Sequence, residues 1–209
     1  MNYGAIAAGL GCGFLIAAQV GPIWILALQT GIRSGFSASF GIGAGAAVVD
    51  TVYCILGALG AAALLATPSS QRIVSITGSL AVAYLGARSV ILKRIAKKRG
   101  TAAELTLESE TFAKSFRLSL VATAANPFTV ISWVALLAAA STYIHTTGEK
   151  LNFASGVGLG SLTFFFALAL LSAQLGKRLG PRVIEWIDRI STGLYFIFAL
   201  ALAYRAFTI

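Results

Sequence analysis

Apolar residues run along this chain in long unbroken stretches rather than in an alternating or one-sided pattern. Six stretches are long enough to cross a bilayer, which needs about 20 mostly apolar residues: roughly 4–28, 37–65, 72–92, 115–140, 152–175 and 185–207. Polar connectors separate them: "QTGIRSG", "ATPSSQ", "KRIAKKRGTAAELTLESETFAK", "STYIHTTGEK" and "GKRLGPR". The pattern predicts an all-α membrane protein of six transmembrane helices in one transmembrane domain, residues 1–209, with a basic connector over about 93–114. The first stretch lacks a basic lead and is longer than a signal-peptide core, so it is read as a spanning helix.

Composition agrees with this. Of 209 residues, 57% are hydrophobic and 11% charged, at a mean hydropathy of +0.85, against about 25% charged in soluble domains. The net charge of +9 raises nucleic acid as a partner, but the distribution of the charges excludes it. Eleven basic residues lie in the odd-numbered connectors: Arg33; Lys93, Arg94, Lys97, Lys98, Arg99, Lys114 and Arg117; and Lys177, Arg178 and Arg182. The even-numbered connectors hold Arg72 and Lys150. By the positive-inside rule the odd connectors face the cytoplasm and both termini face outward. Arg88, Arg189 and Arg205 sit near span ends, where long side chains reach the interface. The "KRIAKKR" run is a topology signal and a contact for anionic lipid.

Chemistry inside the spans is sparse. Cys12 and Cys54 read as small packing residues, and His145 lies in a polar connector, so no metal cluster can be assembled and no cofactor is expected. Asp50 is the exception. It falls near the midplane of the second stretch, where a carboxylate costs about 2.5 kcal/mol or more. No basic residue is expected at its depth, which leaves a proton, a cation or a cationic substrate group as partner. Hydrogen bonds from neighbouring helices are the structural alternative. Desolvation in general favours the neutral form of a carboxyl group, which suits proton coupling.

Two spans are interrupted. Gln19, Gly21 and Pro22 lie in the first, and "TAANPFTVISW" places Asn126 and Pro127 in the fourth. Proline removes a backbone donor and clashes with the preceding turn. Broken helices line substrate sites in transporters, where freed backbone groups meet the ligand. Gln19 and Asn126 add neutral hydrogen-bonding groups beside each break. "GIGAG" (41–45) and "GVGLG" (156–160) are offset by 115 positions, as are Gly78 and Gly193; the two prolines are offset by 105. Three helices per half gives a 3+3 inverted repeat with helices 1 and 4 broken. With the spans as drawn, however, both breaks fall toward the basic side, whereas an inverted repeat needs mirrored depths. "GLGCG" (9–13) and its two counterparts follow no strand, so a dinucleotide site is excluded; they read as close helix contacts.

"VGPIWILALQTGIRSGFSASFGIGAGAAVVDTVY" resembles the first two helices of the lysine-exporter superfamily, the bacterial LysE and RhtB type amino-acid exporters. "ANPFTVISW" resembles its Asn-Pro motif, and "VGLGSLTFFF" and "WIDRISTGLYFIFALALAY" look like its fifth and sixth helices. The resemblance implies a six-helix inner-membrane exporter of amino acids driven by the proton-motive force. Gly21, Pro22, Asp50, Asn126 and Pro127 match its motif positions; Gln19 stands where relatives often carry proline or a small residue. The expected substrate is then a basic or small neutral amino acid, with the proton as coupling ion, the lipid bilayer as surroundings and a homodimer as a possible assembly. Trp24, Trp133 and Phe164 to Phe166 read as packing or lipid-facing residues that could also wall the site. A metal or other cation exporter, a passive channel and an intramembrane enzyme are the rivals. Too few ligands argue against the metal, and the lack of a nucleophile–base pair argues against the enzyme.

Overall fold

The computed structural model describes residues 3–57, 67–98, 110–126, 129, 132–133 and 146–208. Among them lie seven α-helices and no strand: α1 (Tyr3–Ala17), α2 (Pro22–Ser34), α3 (Phe36–Leu56), α4 (Pro68–Lys98), α5 (Phe112–Ala124), α6 (Thr147–Arg178) and α7 (Pro181–Thr208). Segments of α3, α4, α6 and α7 are each long and apolar enough to cross a membrane, and α1 with α2 forms a fifth, broken span bent by 76°. The chain is a multi-pass membrane protein. The fourth expected span, 115–140, is represented by α5 and by helical backbone at Thr129, Ser132 and Trp133. Pro127, His145 and most of the stretch between them lie outside the described residues.

The first break falls where the sequence places it. Gly21 is fully extended (φ −151°, ψ −175°) and Pro22 is the first residue of α2, where its missing N–H would have had no helical partner anyway. Because α2 runs on to Ser34, past the expected end of the span, the break lies midway along it rather than toward the basic side. In the fourth span Ala125 and Asn126 are non-helical, and Thr129 is helical.

A single residue, Gly35, joins α2 to α3. Its φ of +83° is in the left-handed region that disfavours a side chain, and its N–H bonds the Gly31 carbonyl. The corner is braced from inside by Ser39, whose hydroxyl donates to the Ala27 carbonyl at 2.8 Å.

Helices otherwise meet through small residues, which let backbones approach closely in lipid. On α6, a Cβ at Gly156 or Gly160 would overlap the carbonyl oxygen of Ile6 or Leu10 in α1. On α3, a Cβ at Gly41 or Gly45 would come within 2.6 Å and 2.7 Å of the carbonyl oxygens of Phe112 and Phe116 in α5. Reciprocally, α1 places Gly13 over the Val157 carbonyl, and α5 places Ser119 on the Ile42 carbonyl, donating at 2.5 Å. α4 packs along α7, with Ser79 donating to Ala199 and Ser89 bonded to Thr192.

These contacts sort the helix ends. Gly176 of α6 abuts Ile32 of α2, Gly41 of α3 abuts Phe112 of α5, and Arg33 of α2 pairs with Asp188 of α7. One end of the bundle therefore carries Arg33, Lys114, Arg117, Lys177, Arg178 and Arg182, together with the Lys98 end of α4. The beginnings of α1 and α6, with Lys150, lie at the other end.

Candidate functional site at the helix break

The break between α1 and α2 opens a cavity of about 110 Å³. Gln19, Gly21, Asp50 and Asn126 all line it, although they come from three separate parts of the chain. Pro22 is buried beside it as the first residue of α2, without facing it. Pro127 lies outside the described residues. Thr123, Thr129 and Ser132 complete a polar side, while Ile16, Ala17, Ile23, Trp24, Ala46, Phe165 and Phe198 supply the apolar one.

Asp50 is 3% exposed. Each carboxylate oxygen takes one donor: Oδ1 accepts from Trp133 Nε1 at 3.0 Å, and Oδ2 accepts from Ser161 Oγ at 2.8 Å. No Lys, Arg or His is among the residues lining the cavity. The structural alternative for Asp50, hydrogen bonds from neighbouring helices, is thus realised, and it coexists with a place on the cavity wall. Each oxygen of an ionised carboxylate has a further lone pair beyond one donor, and Asp50 also lines the partly polar cavity.

At the rim, Ser132 Oγ donates to Gln19 Oε1 at 3.1 Å, tying the α1–α2 break to the segment after Asn126. Asn126 donates to Thr129 Oγ1 at 3.0 Å, across its own break. The first turn of α2 faces the cavity through Ile23 and Trp24; the N–H groups of such a turn have no partner inside their helix and attract negative charge.

Sequence reasoning missed several of these residues. Trp133, read as a packing or lipid-facing residue that could also wall the site, is 2% exposed and donates its one polar atom to Asp50, a role the sequence did not suggest. Its place in "NPFTVISW", seven residues beyond Asn126, was the available signal. Ser161 directly follows "GVGLG", so the close-packed face of α6 also delivers the second donor. Of the three phenylalanines, Phe165 is buried on the cavity wall while Phe166 is 46% exposed.

The sequence model of one family, the LysE type translocators, matches residues 14–206. The chain belongs to the LysE type translocator family. This makes it a transporter of the membrane, the class the resemblance pointed to. The translocator is also similar to a protein of Bacillus subtilis (strain 168) named "Putative amino acid efflux protein YcgF", at 22% identity over 198 residues, covering 92% of each chain. No solved structure matches it.

Proposed function

We propose that this translocator exports amino acids, basic or small neutral, across the bacterial inner membrane, and that export is coupled to protons. The observation that carries the reading is a cavity at a helix break that holds a buried carboxylate with no cation beside it among the lining residues. An amino acid brings the charges such a site lacks. Its carboxylate would meet the first turn of α2; its ammonium, or a basic side chain, would meet Asp50. Gln19 and Asn126 would orient it. The name of the Bacillus relative points the same way. At about 110 Å³ the cavity has room for roughly three or four waters, which suits a small amino acid; a longer side chain needs it to extend.

A 3+3 inverted repeat is supported by equivalent contacts. Gly156 and Gly160 meet the carbonyls of Ile6 and Leu10, while Gly41 and Gly45 meet those of Phe112 and Phe116. The glycines differ by 115 positions and their partners by 106, close to the 105 between Pro22 and Pro127. Ser119 on Ile42 repeats Gly13 on Val157 at the same two offsets. We place the basic end of the bundle in the cytoplasm, with both termini outside and six spans in all.

Counterflow in proteoliposomes with labelled amino acids, comparing the native protein with Asp50→Asn, tests the function. Saturable exchange of Lys or Arg that is lost in the variant puts the cationic group on Asp50. Exchange of neutral amino acids that survives but no longer follows a pH gradient makes Asp50 the proton carrier. No exchange of any amino acid by the native protein refutes the proposal.

A further inference from the structure

A second polar cluster lies away from the cavity, toward the basic end of the bundle. Asp188 of α7 is 4% exposed. It accepts both Nε (3.0 Å) and an Nη nitrogen of Arg33, in a bidentate pair. Gln29, one turn earlier on α2, donates to Asp188 at 3.4 Å and accepts from the Tyr195 hydroxyl at 3.1 Å. Thr192 closes the group by donating to the Asp188 carbonyl and bonding Ser89 of α4. An ion pair buried among apolar helices is weak evidence for stability, because desolvation offsets the attraction; its use lies elsewhere.

Its position shows where. The same two helices wall the cavity, α2 through Ile23 and Trp24 and α7 through Phe198. Along α2, Ile25 and Leu26 fall between the cavity residues and Arg33, and along α7 Tyr195 falls between Asp188 and Phe198; all three are buried in one core cluster, which we read as an apolar seal. The Arg33 side chain is 32% exposed and that of Asp188 only 6%, so the pair caps this seal from the basic side. The halves of the chain also differ here. By the offsets that relate the glycine and proline positions, the counterparts of Gln29, Arg33, Asp188 and Tyr195 are Val134, Ala138, Ile73 and Leu80. The cluster is therefore not a part of the shared scaffold. It is added at one end.

We propose that the Arg33–Asp188 pair, with Gln29 and Tyr195, is a latch that holds α2 against α7 and closes the cavity toward the basic end, and that it breaks each time the cavity opens there. A bidentate pair is suited to this. It forms in one geometry only and, once parted, Arg33 regains water at the mouth while Asp188 keeps Gln29.

The test is accessibility from each side. In a background with Cys12 and Cys54 replaced by alanine, a cysteine at Ile23 is labelled with a membrane-impermeant maleimide in vesicles of either orientation. R33Q and D188N are expected to raise the labelling rate from the basic end several-fold, and the charge swap R33D/D188R to return it toward the parental rate. Labelling from the other end is expected to be unchanged or slower. Y195F, which removes one hydrogen bond and keeps the ring, is expected to give an intermediate rise and carries the test if the single charge variants do not accumulate. Parental rates in R33Q, D188N and Y195F, or an equal rise from both ends, overturn the latch. The proposal rests on the transporter reading but on no particular substrate. Labelling needs none, so failure of the latch and failure of the amino-acid assignment are separate outcomes.

Discussion

At the residue scale, Asp50 sets the terms. Both of its oxygens face donors, Trp133 and Ser161, so Asp50→Asn does more than remove a charge: its amide NH₂ must face one of them. The unpaired donor costs about 1–3 kcal/mol. Asp50→Asn is expected to lower the melting temperature of the purified protein as well as alter transport. Ser161→Ala keeps the carboxyl group and its Trp133 bond but leaves Oδ2 without a donor, and is expected to cost about 1–3 kcal/mol as well. A thermal-shift series in detergent checks both; no shift in either variant would mean that these two hydrogen bonds do not hold Asp50. That Asp50 is a carboxyl group buried within a span was legible in the sequence, because a lone acid in an apolar run is expensive and easily seen. Its partners were not. Ser161 and Trp133 look like ordinary span residues, and only the packing of α6 and of the segment after Asn126 against α3 brings them to it. Asp188 was overlooked for a related reason: it lies in "EWIDR", close enough to a span end to pass for interfacial, and its pairing with Arg33 spans 155 positions.

At the element scale, glycine position decides which helices meet. Gly156 leaves no room for a side chain, since a Cβ would overlap the Ile6 carbonyl, whereas Gly11 on α1 has open space around it. Gly156→Leu is expected to push α1 off α6 and sharply reduce the folded yield. Gly11→Ala is expected to be neutral or to stabilise, by about 0.5–1 kcal/mol from the reduced flexibility of the unfolded chain. Size-exclusion yield and melting temperature of the two variants, side by side, check this. The described helices, the break at Pro22 and the interruption at Asn126 could be read from apolar runs and polar or proline positions. The extent of α2 could not. Gln29, Thr30, Arg33 and Ser34 look like a connector, yet α2 continues through them because Gln29 and Arg33 find partners on α7. The partners of "GIGAG" and "GVGLG" were equally hidden, as a glycine face says that something approaches closely but not what.

At the scale of the whole molecule, charge and packing agree on polarity. Glycine contacts and the Arg33–Asp188 pair gather Arg33, Lys114, Arg117, Lys177, Arg178 and Arg182 at one end. In intact cells, a single cysteine at Lys177 is expected to resist an impermeant maleimide, and one at Lys150 to react. The opposite pattern would invert the proposed topology and turn the latch to the cell exterior. One consequence concerns the joint at Gly35. A connection of a single residue, stiffened across its inner angle by Ser39 on Ala27, has no slack. α2 and α3 then behave as a bell crank. Swinging one arm away from α7 must turn the other, and Asp50 rides on that other arm about 22 Å from the pivot, at 1.5 Å per residue. Movement at the mouth is thereby geared to the carboxylate, and lengthening the joint with a pair of glycines after Gly35 is a direct way to strip that gear.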